Sequence, residues 1–274
     1  MDTLNLIDRT FDHSKLGFCS DYQTSNMFQW NRTPQGGDVV YTDITLNTVK
    51  HNPIGSNYAW LIEPIDIASN NYILVDKIKD KYDRIFTHEK TYIDKGAPYE
   101  FVPFGCCWIK PEDHKIWTKT KLLSIIASNK SATGGHKLRH QVINSHKHLS
   151  NFDVYGRKYN PLDYKLDGIK DYMFHVVIEN CKRDYWFTEK LIDCLVTGTV
   201  PIYWGCPSIG DFFDTRGFII VDNVEDISNT ISLVDSLTEE RYNEMLPYIE
   251  SNLEKSKEFL LPDEWVYNKI KGNK

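Results

Sequence analysis

The stretch from Met173 to Trp204 constrains the fold more than any other part of the chain. Met173 to Ile178 is almost wholly apolar, and so is Val200 to Trp204, while between them Leu191, Ile192, Leu195 and Val196 recur at helical spacing behind Thr188. An apolar run without alternation reads as a strand covered on both faces, and two such runs joined by an amphipathic helix make a parallel βαβ unit. Thr188 is a good N-cap for that helix. Glu179 and Asn180 then stand at the carboxyl end of the first strand, the edge at which open α/β sheets bind ligands.

The same alternation extends in both directions. Upstream, Val39-Val40-Tyr41, Tyr58 to Ile62, Arg84 to Thr87 and Tyr99 to Pro103 read as short strands, with a helix over Tyr72 to Tyr82. Downstream of a stretch from Gly105 to Lys121, where glycine, proline and charge gather without apolar period, come a strand over Leu122 to Ala127, a helix over Gly135 to Leu149 and a strand over Phe152 to Tyr155. Beyond the central unit follow a strand over Phe218 to Val221 and a helix over Glu225 to Leu237. The expectation is an α/β protein with two domains, 1–115 and 116–274. The charged, periodic tail from Glu239 to Lys271, broken at Pro262, reads as two helices packed across the body.

A net charge of −6 gives no general attraction to nucleic acid or anionic lipid, so phosphate recognition must come from a few placed cations. No segment approaches the roughly 20 apolar residues of a membrane span, and the start MDTLNLIDRTFDHSKLGF lacks a basic region followed by an apolar core. These features lead to the expectation of a soluble, cytoplasmic chain without a membrane span. The six cysteines contain no CxxC pair and are read as reduced thiols.

Lys190, in the first turn of the helix behind Thr188, is unfavourable for the helix dipole by a few tenths of a kcal/mol up to about 1 kcal/mol. A bound anion nearby would account for it, with Glu189 left to accept hydrogen bonds from ribose hydroxyls. The same two residues also fit a solvated first turn. No GxGxxG or GxxxxGK[ST] motif occurs, GCPSIG from Gly205 to Gly210 misplaces Ser208 for a nucleophile elbow, and there is no Asp-x-Asp triplet. His136 and His140, at i and i+4 on one helix, lack an evident third ligand, and no metal is expected.

At these residues the chain resembles glycosyltransferase family ten, the α-1,3-fucosyltransferases. The family pattern of E-N-S, a short loop, Y-[IV]-T-E-K-[IL] and G-x-V-P-[IV]-x-x-G is matched by Glu179-Asn180-Cys181, Thr188-Glu189-Lys190-Leu191 and Gly198 to Gly205. Ser128-Asn129 followed by Arg139 is similar to the family's Ser-Asn segment and donor-phosphate arginine. Tyr155, Gly156 and Arg157 resemble its V-[DY]-x-G-R strand end, Glu63-Pro64 its Glu-Ser-Pro segment, and Phe101 to Gly105 its V-P-[YF]-G. Cys181 replaces the family's serine, and Trp186 stands where the family has a tyrosine near the donor, which bears on the choice of donor sugar.

The resemblance implies a GT-B architecture, two Rossmann-like domains facing across a cleft, and inverting, metal-independent transfer from GDP-fucose to a glycan acceptor without a cofactor. Glu63 would be the general base, and Arg139 and Lys190 would stabilise the leaving diphosphate. Glu179, Asn180, Trp186, Thr188 and Glu189 would complete the donor side, with Tyr155, Gly156 and Arg157 as further donor-side candidates. Glu63 also reads as a loop cap and Arg139 as a helix-surface residue. Two rivals stay open: another nucleotide-sugar with the same clamp, and a glycan- or nucleotide-binding module without turnover.

Overall fold

The structure, a computed structural model, describes residues 1–9, 18–34, 36–232 and 237–272. Among these residues, Asp2–Ile7 (β1), Phe28–Asn31 (β2), Val39–Thr42 (β3), Asn57–Trp60 (β4), Arg84–Thr87 (β5) and Tyr99–Phe101 (β6) pair in one parallel sheet ordered β2-β1-β3-β4-β5-β6. Ile65–Ile78 (α1) and Lys90–Ile93 (α2) form the crossovers. The core of this sheet joins Val39, Tyr41, Ala59, Leu61 and Ile85 to Tyr72 and Val75 of α1. β1 and β2 are absent from the expected strands. β1 lies inside the sheet yet carries a buried polar residue, Asn5, which donates from Nδ2 to the carbonyls of Gly36 and Asp38 and accepts at Oδ1 from Asn31.

Lys121–Ile126 (β7), Phe152–Tyr155 (β8), Tyr172–Ile178 (β9), Val200–Trp204 (β10) and Ile219–Ile220 (β11) pair in a second parallel sheet ordered β11-β10-β9-β7-β8. β9, flanked on both sides, is buried from Phe174 to Ile178, as its unbroken apolar run requires. Gly134–His146 (α3), Glu189–Leu195 (α4), Val224–Ser232 (α5) and Glu239–Ser256 (α6) accompany it, and Pro262–Lys271 (α7) closes the chain. Pro262 opens α7 at its first turn, where proline's missing N–H costs nothing, whereas Pro247 lies within α6. The helix expected over Glu225 to Leu237 is described from Val224 to Ser232, and residues 233–236 lie outside the described residues.

Both sheets are wholly parallel with helical crossovers, an arrangement of the Rossmann type. Contacts divide the chain into a first unit of Met1–Cys106, Arg183–Trp186 and Leu261–Lys274, and a second of Cys107–Lys182 and Phe187–Leu260. The division falls at Cys106, where the sequence suggested 115, and α7 goes with the first unit. Asp263 of α7 explains that grouping: it is buried and accepts hydrogen bonds from Trp30 Nε1 (2.9 Å) and Phe18 N (3.2 Å). Within the first unit a disulfide joins Cys19 and Cys106, in place of the reduced pair expected, while Cys107, Cys181, Cys194 and Cys206 remain thiols.

Candidate active site

In the second unit, the carboxyl end of β9 gathers most of the residues singled out in the sequence. Glu179 is fully buried, and its carboxylate accepts from Thr188 N (2.9 Å) and Thr188 Oγ1 (2.7 Å). The same group ties down the strand end and the N-cap of α4, so it organises the site from within and presents no oxygen to solvent. Lys190 donates to Thr188 Oγ1 (3.0 Å) and Glu189 Oε1 (2.9 Å) and lies 3.6 Å from Glu179 Oε2. The expected anion is therefore matched first by two carboxylates of the protein itself.

Arg139 reaches the same place from α3. It is buried, donating from Nε to the Ile178 carbonyl (2.9 Å) and from Nη2 to Asn180 Oδ1 (2.8 Å), so it is no helix-surface residue. Burial pulls its pKa below the usual value, while Glu179 and Glu189 hold it up. Of the five N–H groups of a guanidinium, two are used by these acceptors, which leaves donors for a ligand. Gly135, at the start of α3, donates its N–H to the Asn180 carbonyl (3.0 Å), and a Cβ there would stand 1.8 Å from the Glu179 carbonyl oxygen. Only glycine allows this close approach of helix and strand end.

Glu189 is mostly buried. Burial opposes its charge, but Lys190 and Lys165 outweigh that and hold its pKa at about 2, so it is an anion at neutral pH. His136, beside them, is lowered to about 4 by burial and by the cations Arg139, Lys130 and Lys190. It bonds Thr133 Oγ1 (2.7 Å), while His140 bonds Tyr159 and the Lys130 carbonyl. Among the described residues, no group of three His, Cys, Asp or Glu side chains could hold a metal.

Four donor-side candidates, Tyr155, Gly156, Arg157 and Trp186, make none of the contacts just described. Tyr155 turns its hydroxyl to Tyr172 (2.6 Å), the first residue of β9, whose own hydroxyl bonds Asp153 (2.5 Å) and meets Lys121, the first residue of β7. Tyr155 itself ends β8, level with Ile126 at the carboxyl end of β7, but its hydroxyl turns back toward Tyr172, near the amino ends of the strands, and bonds neither Arg139 nor Lys190. Gly156 has φ +125°, and a Cβ there would stand 1.8 Å from the Ala127 carbonyl oxygen, while Arg157 is exposed. Trp186 belongs to the first unit and is buried, its ring centroid 6.1 Å from that of His88, so it offers no open stacking face.

Glu63, in the first unit, follows the carboxyl end of β4 and is half-buried. Its N–H donates to Asp43 Oδ2 (3.3 Å) and its carbonyl accepts from the Tyr72 hydroxyl (3.0 Å), which fixes the backbone on both sides. Asp43 is buried, and that burial, aided by the neighbouring charge of Glu63, raises its pKa to about 7. Asp43 and Tyr72 were not read from the sequence; an aspartate just past a strand end is the one signal that pointed to the former. Lys165 and Asp193 also escaped it. Asp193 lies four residues beyond Glu189 and its Oδ2 is 2.5 Å from Lys165 Nζ, but the two are 28 positions apart in the chain.

No described helix is long and apolar enough to cross a membrane. Compared with known proteins, residues 116–252 match the model of glycosyltransferase family 10 (fucosyltransferase), C-terminal region. The alpha-(1,3)-fucosyltransferase FucT of Helicobacter pylori is 26% identical over 174 residues, which is 56% of this chain and 35% of that protein. The GDP-fucose protein O-fucosyltransferase 3 of Canis lupus familiaris is 34% identical over 95 residues, 32% of this chain and 20% of that protein. The chain thus spans about a third or less of the length of these curated relatives. In fold, a crystal structure of an alpha1,3-fucosyltransferase with GDP superposes with a TM-score of 0.57 at 16% identity, covering 94% of this chain and 88% of that one. A complex of S. aureus TarM with fondaparinux, alpha-GlcNAc-glycerol and UDP gives a TM-score of 0.55 at 11% identity, covering 85% of this chain and 55% of the other. The match over half the sequence, with Arg139, Glu179, Thr188, Glu189 and Lys190 all inside it, places the chain in glycosyltransferase family 10.

Proposed function

We propose that the chain is an inverting fucosyltransferase that moves L-fucose from GDP-fucose to a hydroxyl of a glycan acceptor. The observation that carries this reading is that Arg139 and Lys190 reach the carboxyl end of β9 from two helices, Arg139 bonding the Ile178 carbonyl and Asn180 Oδ1 and Lys190 lying against Glu179 and Glu189. The site balances its own charges, so a diphosphate enters by taking over N–H donors of both cations while Glu189 turns to the ribose hydroxyls. As the bond from the anomeric carbon to the diphosphate breaks, negative charge grows on the leaving GDP, and the two cations stabilise it without a metal.

On the acceptor side, the attacking hydroxyl loses its proton to a carboxylate, for which Glu63 is the candidate. Its backbone N–H donates to Asp43 and its carbonyl accepts from Tyr72, which fixes where the side chain leaves the strand end. Attack opposite the leaving group inverts the anomeric centre.

Lys190→Ala tests the donor half. Loss of one cation should raise the barrier by about 3 kcal/mol, a fall in GDP-fucose consumption of about a hundredfold or more. Near-normal turnover overturns the assignment. A thermal-shift panel of GDP, UDP and dTDP tests the choice of donor, because a nucleotide at 100 times its dissociation constant stabilises by about 2.7 kcal/mol. A response to UDP or dTDP alone would transfer the mechanism to another sugar nucleotide.

A further inference from the structure

Buried polar atoms without a partner are rare in folded proteins, and each calls for an explanation. Among the described residues, His88 Nε2, Glu89 Oε2, Trp186 Nε1 and Asp193 Oδ2 are buried and form no hydrogen bond. Asp193 Oδ2 lies 2.5 Å from the Lys165 ammonium, which accounts for it. The other three belong to the first unit and gather at one end of its sheet. His88 and Glu89 directly follow β5, and the Trp186 ring centroid lies 6.1 Å from that of His88. Parallel α/β sheets bind their ligands at this carboxyl edge.

Glu63 stands at the same edge, past the end of β4, the neighbour of β5. The Tyr72 hydroxyl links the two strand ends: it donates to the Glu63 carbonyl (3.0 Å) and lies 3.4 Å from Thr87 Oγ1, which accepts from Glu89 N (3.1 Å). The other oxygen of Glu89, Oε1, accepts from Thr91 Oγ1 (3.0 Å). Glu89 precedes α2, but its side chain caps no backbone N–H of that helix, so capping does not account for Oε2. Trp186 follows Tyr185, whose φ of +61° lies in the left-handed region that a bulky residue rarely adopts. Backbone strain of this kind collects at binding and catalytic sites.

The three atoms differ in kind. A carboxylate oxygen only accepts and an indole N–H only donates, while His88, kept neutral by burial and by Arg183 with a pKa of about 3, has one nitrogen of each sort. A ligand that meets all three must both donate and accept, as hydroxyls do. A phosphate is disfavoured, because Glu89 repels it and Arg183 is engaged with Asp66. We propose that His88, Glu89 and Trp186 contact the acceptor: Glu89 Oε2 accepts from one sugar hydroxyl and Trp186 Nε1 donates to the oxygen of another, so that this edge selects a polyhydroxylated ligand. The assignment rests on the reading of the chain as a transferase to a sugar hydroxyl. Glu63, Phe101 and Tyr185, which flank the three residues, are half-buried, and the ligand reaches the buried atoms through rotamer changes of the kind common on binding.

Two variants that keep side-chain shape test this. Glu89→Gln retains an oxygen for Thr91 and puts an NH₂ where Oε2 was, and Trp186→Phe keeps an aromatic ring but removes the N–H. Each is compared with the unaltered protein for binding to arrayed short neutral oligosaccharides, for GDP affinity by calorimetry and for melting temperature. Half-saturation of the glycans that the unaltered protein binds should need about tenfold more of either variant, one hydrogen bond being lost in each. GDP affinity should stay within about twofold, and melting should hold or rise, because an unpaired buried group has been removed. Unchanged glycan binding in both variants overturns the proposal. So does lower melting in both with glycan and GDP binding weakened together, the result of a structural role. Weaker GDP binding by Trp186→Phe alone also overturns it, since that returns the indole to the donor. Unaltered protein that consumes GDP-fucose but binds no arrayed glycan removes this inference and leaves the proposed function standing. Protein that binds glycans but neither binds GDP nor consumes GDP-fucose removes the proposed function, and the acceptor role with it.

Discussion

Glu179 offers the sharpest check on how the site is built, because it was expected to touch the donor and the structure instead buries it as a tie. Its carboxylate receives Thr188 N at 2.9 Å, Thr188 Oγ1 at 2.7 Å and the Lys190 ammonium at 3.6 Å. Glu179→Ala removes two hydrogen bonds to a charged group, each worth about 1.5–3 kcal/mol, and leaves a buried N–H without an acceptor. The loss should be about 3 kcal/mol at the least. In a unit of about 150 residues that corresponds to a fall in melting temperature of roughly 6–12 °C.

Glu179→Gln should cost less but not nothing. Thr188 Oγ1 already receives Lys190 Nζ (3.0 Å) and Lys190 N (3.4 Å), so an amide NH₂ turned toward it brings a third donor to two lone pairs. About 1.5–3 kcal/mol is expected for this variant. Differential scanning calorimetry, with and without GDP, separates the two roles: a tie lowers melting in both conditions, whereas a ligand contact lowers only the increment that GDP adds. A Glu179→Ala protein that melts within about 2 °C of the original refutes the reasoning.

Gly135→Ala should destabilise the second unit by about 1–3 kcal/mol and weaken GDP binding, because its Cβ would press on the backbone that sets Asn180 and, through it, Arg139; an unchanged urea midpoint would contradict this. Asp43, whose folded pKa of about 7 exceeds the ordinary 3.8, contributes stability that is complete below about pH 4 and is lost as pH rises through 7. Asp43→Asn should flatten that decline in urea titrations at pH 5 and 8, and an equally steep decline would rule out Asp43 as its source. Thiol titration of unfolded, unreduced protein should find four free cysteines, and breaking the Cys19–Cys106 bond should lower stability by about 2–4 kcal/mol; six free thiols would exclude the bond.

How much of this the sequence carried depends on how local the signal was. β9, α4 and β10 were legible because burial on both faces leaves an unbroken apolar run, and one buried face leaves a stripe. β1 was not, since Asn5 interrupts its alternation and is satisfied only by residues 31 to 38, which no window around position 5 contains. The cluster of Arg139, Glu189 and Lys190 could be named from a motif, but the inward turn of Glu179 depends on where Thr188 falls in three dimensions. Tyr155 and Trp186 show the same limit: their positions in a pattern were readable, while the direction of each ring was fixed by Tyr172 in one case and His88 in the other.

The four residues Arg183–Trp186 have a wider consequence. Arg183 pairs with Asp66, two positions before Tyr185 packs its ring 5.5 Å from that of Phe101, so the first unit takes these residues out of the middle of the motif that supplies Lys190 to the second unit. A gene fusion that grafted the second half onto a foreign first half would carry this excursion with it, shaped for an absent neighbour. Recombination between distant members should therefore succeed only where the excursion and the sheet that receives it are inherited together, which ties the evolution of the two halves to each other.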